Sequence, residues 1–239
     1  MTDASLTLPD AERAALADRL ASVRERIEQA ARSAGRSAES LTLIAVTKFH
    51  PAALAAELVR LGVTHLGENR HQEAAAKSAA LAEAGIAPTW HFLGQLQTNK
   101  ARHVARYAGM VHTVDRPELV QALSRLEQPL DCLLQVNLTD DEHRGGVAPN
   151  GIESLTEQIL AAPGLRLRGM MAVAPLPQEE APEAAFARLA DYAARLRSLA
   201  PDATILSAGM SHDLEAAVAA GATHLRIGTA ITGNRPTQG

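Results

Sequence analysis

The chain has 239 residues and a hydrophobic content of 46%, which is long for one average domain but ordinary for a single α/β barrel. We therefore expect one domain over residues 1–239. The net charge of -4 shows that the chain has no excess of basic residues, so nucleic acid is not an expected partner. The single cysteine, Cys132, excludes an internal disulfide framework and a cysteine-based metal site.

The N-terminal residues lack the basic and apolar regions of a signal peptide. No uncharged apolar run approaches the length that is needed to cross a bilayer. We expect a soluble, cytoplasmic protein with no membrane partner.

Helical and strand-like segments alternate along the chain. Apolar residues at helical spacing over 9–34 predict an amphipathic helix with its arginines on the surface. Helices are predicted between eight strand-like segments, which are 41–47, 63–66, 88–93, 110–114, 130–138, 165–173, 203–207 and 223–227. This alternation predicts a (β/α)8 TIM barrel with an extra N-terminal helix, and a doubly wound open sheet is the alternative.

A lysine follows the first predicted strand, in a chain that has twenty arginines but only three lysines, Lys48, Lys77 and Lys100. A guanidinium stays charged, whereas a desolvated lysine amine loses its proton readily and condenses with a carbonyl to form a Schiff base. Lys48 is therefore a candidate covalent anchor. The alternative is a strand-end lysine whose ammonium reaches solvent.

The segments after strands seven and eight have the composition of a phosphate site. Ligands of (β/α)8 barrels bind at the carboxyl ends of the strands, and phosphates commonly lie after strands seven and eight. SAGMS at 207–211 and RIGT at 226–229 combine small residues, which admit an anion to backbone amides, with hydroxyl donors. Taken singly, Ser211 is equally a helix N-cap and Gly228 a bend. Because a closed barrel places strand one beside strand eight, the segments and Lys48 together indicate a site for a small phosphorylated aldehyde.

Six blocks of sequence match a known family in order: VTK at 46–48, GEN at 67–69, WHFLGQLQTNK at 90–100, RGMMA at 168–172, SAGMSHD at 207–213 and RIGT at 226–229. With these blocks the chain resembles the pyridoxal-phosphate homeostasis proteins over nearly its whole length after the first helix. The resemblance implies a single-domain barrel of the alanine racemase N-terminal-domain type (PLP fold type III). It also implies pyridoxal 5'-phosphate (PLP) held covalently on a lysine, with no catalytic turnover.

The resemblance assigns roles to individual residues. Lys48 would form the Schiff base. Asn69 would lie near the cofactor, and Arg226 would face its pyridine nitrogen. The phosphate would be held by Ser211, Gly228 and Thr229, with Met210 lining it.

Three positions depart from the family pattern. Thr47 stands where serine is frequent, and Ala208 replaces a bulkier apolar residue, but neither change removes a needed donor. Arg144 lies in the polar loop 140–146, where many relatives have lysine. We expect this loop to be a solvated face, and a mobile lid over the cofactor is the alternative.

An arginine at the pyridine nitrogen limits the chemistry, because it only donates hydrogen bonds and leaves that nitrogen unprotonated. A neutral ring is a poor electron sink. The related racemases add a catalytic tyrosine from a β domain that we do not expect here, and Tyr107 and Tyr192 fall in predicted helices. We expect a monomeric PLP carrier that stores, protects or delivers the cofactor to apo PLP-dependent enzymes. The alternatives are a PLP-dependent amino-acid racemase or lyase, and an unrelated Schiff-base aldolase.

Two further groups of residues carry ionisable side chains. His65, His91, His112 and His224 fall at or near predicted strands but lack the spacing of a metal-ligand set, so we expect His91 to make hydrogen bonds beneath the pocket. Glu68 and Glu73 flank Asn69 closely enough for acid/base work, although we expect them to form a solvated helix start.

Overall fold

The computed structural model describes residues 6–141 and 143–235. Its strands are Thr42–Val46 (β1), His65–Glu68 (β2), Thr89–Phe92 (β3), Ala108–Val114 (β4), Leu130–Gln135 (β5), Leu165–Met171 (β6), Ile205–Ser207 (β7) and His224–Ile227 (β8). They form a closed parallel barrel in the order β1 to β8, and β8 pairs with β1. The predicted (β/α)8 barrel is confirmed, and the open-sheet alternative is wrong.

Helices surround the barrel. They are Asp10–Ser33 (α1), Ala52–Arg60 (α2), His71–Glu83 (α3), Ala101–Val104 (α4), Pro117–Leu123 (α5), Ile152–Leu160 (α6), Pro182–Leu199 (α7), Leu214–Ala219 (α8) and Thr229–Thr232 (α9). The extra N-terminal helix is α1, and it buries Leu16, Leu20, Val23 and Ile27 at helical spacing.

The arginines of α1 lie at the surface, as predicted, with none of them buried, but some of them also bind distant carbonyls. Arg19 Nε donates to the carbonyl of Ile231 at 2.7 Å, and Arg26 Nη1 donates to the carbonyl of Ser211 at 3.1 Å. Beyond α1, the side chain of Arg36 likewise donates to the carbonyls of Val218 in α8 and of Ala222, which follows that helix. Ile231 lies in the last turn of α9, where carbonyls have no intrahelical donor, so the guanidinium of Arg19 supplies one.

Two predicted elements differ from the structure. The second strand extends to Glu68, so Gly67 and Glu68 lie within it rather than in a loop. The long helix predicted between strands three and four is a 3-10 turn, Thr98–Lys100, followed by the short α4.

Polar side chains occupy part of the barrel interior. Strands β4 and β7 are not neighbours, so the 3.0 Å contact between His112 Nδ1 and Ser207 Oγ crosses the inside of the barrel. Branched apolar residues usually fill this space in such barrels. Here a separate apolar cluster of Met110, Leu133 and Met171 fills only a part of the core.

Two features are absent from the described residues. No helix in residues 6–141 and 143–235 is both long enough and apolar enough to cross a bilayer. Over the same ranges, no three or more histidine, cysteine or acidic side chains are grouped so that they could hold a metal ion.

Candidate functional site

Lys48 lies in a tight turn just beyond β1. It is half-buried, and its Nζ lies 5.9 Å from the centroid of the Phe49 ring. Phe49 has a φ of 69°, and it is the only non-glycine residue with positive φ among those the structure describes. A bulky side chain rarely adopts this conformation. The amide of Phe49 donates to Glu73 Oε2 at 3.0 Å, which helps to hold the turn.

A buried ion pair between Lys77 and Glu68 stabilises the same turn at Lys48. Lys77 Nζ donates to Glu68 Oε1 at 2.6 Å and to the carbonyl of Thr47 at 2.7 Å. The hydroxyl of Thr47 donates to the same Glu68 oxygen at 2.6 Å. The three groups join β1, β2 and α3 and fix the backbone that leads to Lys48.

The prediction of a solvated helix start is wrong for Glu68, whose exposed fraction is 1%. Burial raises the pKa of the Glu68 carboxyl, while the Lys77 ammonium opposes that rise. A buried carboxylate is tolerated here because a cation and a hydroxyl satisfy one of its oxygens. Glu73 does lie in the first turn of α3, but its carboxylate bonds to the amide of Phe49.

The segments after β7 and β8 meet at the rim of the barrel. The N-cap position of α8 is Asp213, so the interpretation of Ser211 as an N-cap is wrong. Instead, Ser211 Oγ accepts a hydrogen bond from the amide of Ala230 in α9 at 3.4 Å. A methyl group at Gly228 would lie 3.6 Å from Val46 Cβ, so this glycine adjoins the end of β1. Thr229 is exposed.

Arg226 lies inside β8 and is buried. Its Nη1 donates to Ser207 Oγ at 2.8 Å, and its Nη2 donates to the carbonyl of Ala172 at 2.9 Å. Desolvation lowers the pKa of this guanidinium to about 10, so it remains a cation at neutral pH. Neutral groups alone, a hydroxyl and a carbonyl, accept its hydrogen bonds among the described residues.

Asn69 follows β2 and is half-buried. A methyl group at Gly94 would lie 1.9 Å from the carbonyl oxygen of Asn69, so only glycine fits at position 94. The close approach of the backbones at Gly94 and Asn69 fixes the position of Asn69 at the start of the loop between β2 and α3.

Cationic side chains gather around the ring of Phe49. The guanidinium of Arg70 lies 4.9 Å from the ring centroid, and that of Arg235 lies 4.3 Å from it. With Lys48 they make this part of the rim positive, which favours an anionic ligand.

The structure places most of the predicted site residues on adjoining strand ends. Lys48 follows β1, Gly228 and Thr229 follow β8, and Ser211 follows β7. Met210 also follows β7, and 37% of its surface is exposed. Their convergence on one ligand stays a prediction.

Sequence reasoning gave no role to Lys77, although a signal for it was available. The scarcity of lysine that singled out Lys48 applies equally to Lys77, which is one of the three lysines and is buried. The role of Ser207 as the partner of Arg226 depends on a contact between strands and has no local signature.

The two tyrosines contact other side chains in the structure. Tyr192 lies in α7 with the guanidinium of Arg195 5.6 Å from its ring centroid. Tyr107 does not lie in a helix, contrary to the prediction, because α4 ends at Val104. Its hydroxyl is 3.4 Å from His71 Nδ1.

Comparison with known proteins agrees with the resemblance. The family model of the alanine racemase N-terminal domain matches residues 19–236. A pyridoxal phosphate homeostasis protein of Pseudomonas aeruginosa is 42% identical over 225 residues, which cover 92% of this chain and 96% of that protein. The chain belongs to the pyridoxal phosphate homeostasis protein family.

Solved structures agree with this membership. PipY of Synechococcus elongatus, a structure with PLP bound, is 38% identical with a TM-score of 0.77, and the match covers 91% of this chain and 100% of PipY. Alanine racemase of Corynebacterium glutamicum is 17% identical with a TM-score of 0.67, and the match covers 90% of this chain and 60% of the racemase. The second likeness establishes the fold alone.

Proposed function

We propose that the protein binds PLP as a Schiff base on Lys48 and acts in PLP homeostasis. In this role residues 1–239 form one cytoplasmic, monomeric unit that stores, protects or delivers the cofactor to apo PLP-dependent enzymes, without turnover. Support comes from membership of the homeostasis family and from PLP in the related PipY structure.

One structural relationship carries the proposal. Ala45 of β1 pairs with Ile227 of β8, which brings the strand end before Lys48 beside Gly228 and Thr229. The donor set fits PLP, since it offers an amine for the aldehyde, two hydroxyls for the phosphate and a buried guanidinium for the ring nitrogen. Asn69 and Met210 would complete the lining.

The buried arginine of this set disfavours transaminase-like chemistry and leaves carriage or racemisation. PLP supplies an aldehyde that forms a covalent bond with an amine, with release of one water. Arg226 only donates hydrogen bonds, so it keeps the ring nitrogen of bound PLP unprotonated and limits the ring as an electron acceptor.

The proposal is tested by incubating the protein with PLP, reducing it with borohydride and mapping the pyridoxylated peptide. We expect the label on Lys48, a visible absorption band before reduction, and loss of both in Lys48→Ala. Lys100→Ala is the matched control and keeps both signals. A colourless protein, or a label on Lys100, would contradict the proposal. Amino-acid racemisation above the Lys48→Ala background would favour the racemase alternative.

A further inference from the structure

Three histidines form a continuous chain of hydrogen bonds inside the barrel. His65 Nδ1 lies 2.8 Å from His91 Nε2, and His91 Nδ1 lies 2.8 Å from His112 Nε2. We call His65, His91 and His112 the histidine relay. Its first ring lies on β2, its second on β3 and its third on β4.

The relay ends at the arginine of the candidate site. His112 Nδ1 lies 3.0 Å from Ser207 Oγ, and that oxygen accepts a hydrogen bond from Arg226 Nη1 at 2.8 Å. At its other end, half-buried His65 lines an open cavity of about 300 Å³ together with Arg24 and Glu28. The relay therefore connects Arg226 with a cavity at the amino-terminal ends of β1 and β2.

The hydroxyl proton of Ser207 determines the direction of these bonds. Ser207 is fully buried, and its hydroxyl has two partners within the described residues, Arg226 and His112. Arginine has no acceptor, so His112 Nδ1 is the acceptor that these two partners offer to the buried hydroxyl proton, and we assign the donation to it. An imidazole that accepts at Nδ1 and is neutral carries its proton on Nε2, so His112 donates to His91, and His91 donates to His65.

The relay rings are neutral for two reasons. The first is that each of the two N···N contacts holds one shared proton, so only one of the two facing nitrogens is protonated. The second is that burial lowers the pKa of His65, His91 and His112 below the ordinary histidine value. Positive charge on Arg226 acts in the same direction on His112. A charged ring at His91 or His112 would be buried with no hydrogen bond to an acidic side chain among the described residues.

We propose that Arg226, through Ser207, sets one tautomer in all three relay histidines, and that the aligned rings are positioning residues for its guanidinium. In this tautomer every ring turns its unprotonated nitrogen towards Arg226 and its N–H away. The negative ends of the imidazole dipoles then face a buried cation that has no ion-pair partner among the described residues. The link to the ring nitrogen of PLP rests on the proposed function, but the tautomers do not.

Ring 15N NMR of the labelled PLP-free protein tests the tautomers directly, because protonated and unprotonated ring nitrogens have separate shifts. Single His→Gln variants assign the three rings. We expect all three to be neutral with the proton on Nε2 at pH 7. A proton on Nδ1, or a doubly protonated ring, at any of the three overturns the proposal.

Two substitutions at Ser207 test the direction of control. Ser207→Ala removes the donor, and we expect His112 to shift at least partly to the Nδ1–H tautomer. Ser207→Thr keeps a hydroxyl and should retain the wild-type tautomer. A wild-type spectrum for His112 in Ser207→Ala would contradict the role of Ser207.

Affinity measurements separate positioning from a general structural effect. His91→Leu interrupts the relay, and we expect it to weaken PLP binding about fivefold, as for loss of one hydrogen bond between neutral groups. An analogue of PLP with C–H in place of the ring nitrogen should bind both proteins equally. An equal loss for both ligands would overturn the positioning role. Failure of the wild type to bind PLP would reject the proposed function, while the NMR result still decides the tautomers.

Discussion

The ammonium of Lys77 donates to the carbonyl of Thr47 at 2.7 Å and so fixes the backbone one residue before Lys48. The same ammonium is the ion-pair partner of Glu68. One buried lysine therefore neutralises a carboxylate and orients the strand end that carries the proposed anchor. Two of the three lysines act on the same turn.

Removal of Lys77 should destabilise the protein strongly. Lys77→Met leaves the carboxylate of Glu68 buried without a cation, and we expect a loss of about 3–5 kcal/mol in the free energy of unfolding, measured with urea. Lys77→Met combined with Glu68→Leu should recover much of that loss, because the unpaired charge is gone. Lys100→Met is the control. A single variant as stable as wild type would show that Glu68 does not depend on Lys77.

The turn at Phe49 gives a second prediction. Its φ of 69° suits glycine and strains any residue with a Cβ atom. Both Phe49→Gly and Phe49→Ala lose the contacts of the ring with Arg70 and Arg235, so their comparison isolates the backbone. We expect the glycine variant to be about 1 kcal/mol more stable than the alanine variant in urea. The reverse order, which is usual in loops, would argue against a left-handed turn.

The phosphate role of Ser211 and Thr229 is tested with two ligands. Ser211→Ala and Thr229→Val should each weaken PLP binding about tenfold, the effect of losing one hydrogen bond to a charged group. Binding of pyridoxal, which lacks the phosphate, should be unchanged. Fluorescence or absorbance titration measures both affinities. Ser124→Ala, at a half-buried serine directly after α5, is the matched control. Equal losses for both ligands would remove the phosphate assignment.

Acid should destabilise the protein through its interior histidines. Burial lowers the pKa of His91 to about 3 and that of His224 to about 4. An unfolded chain binds these protons near pH 6.5, so the stability they provide is present above that pH and is lost as the pH falls.

The His91→Gln variant removes one of these titrating groups, so its comparison with the wild type measures the effect of His91 alone. Between pH 6 and pH 4 the wild type should lose about 1.4 kcal/mol per pH unit more than this variant, which corresponds to one proton. Urea denaturation at several pH values measures both slopes. Parallel slopes would mean that His91 is already protonated in the folded protein.

The sequence predicts the barrel well because its signals are local. Apolar strands alternate with helices, and the end of β1 is marked by one of only three lysines in the chain. The extent of β2 was missed because Gly67 and Glu68 are poor strand formers, and Glu68 is stabilised there by Lys77, a partner in α3.

The partners of the buried polar groups were beyond sequence reasoning. The sequence places each of the four histidines near a strand. It does not show which of them are in contact, because the contact of His112 with Ser207 joins two non-adjacent strands of the closed barrel. The sequence predicts the arginines of α1 only as surface charges. It does not predict the bonds of Arg19 and Arg26 to carbonyls, because those partners lie far away in the sequence.

The bond from Arg19 to Ile231 also constrains when the molecule can assemble, because the two residues are 212 positions apart. During translation α1 leaves the ribosome early, yet the carbonyls that receive the guanidinium groups of Arg19 and Arg26 are among the last parts to be synthesised. Until then the apolar stripe of Leu16, Leu20, Val23 and Ile27 lacks part of the surface that covers it in the folded protein. Complete docking of α1 therefore waits for the C-terminal end of the barrel.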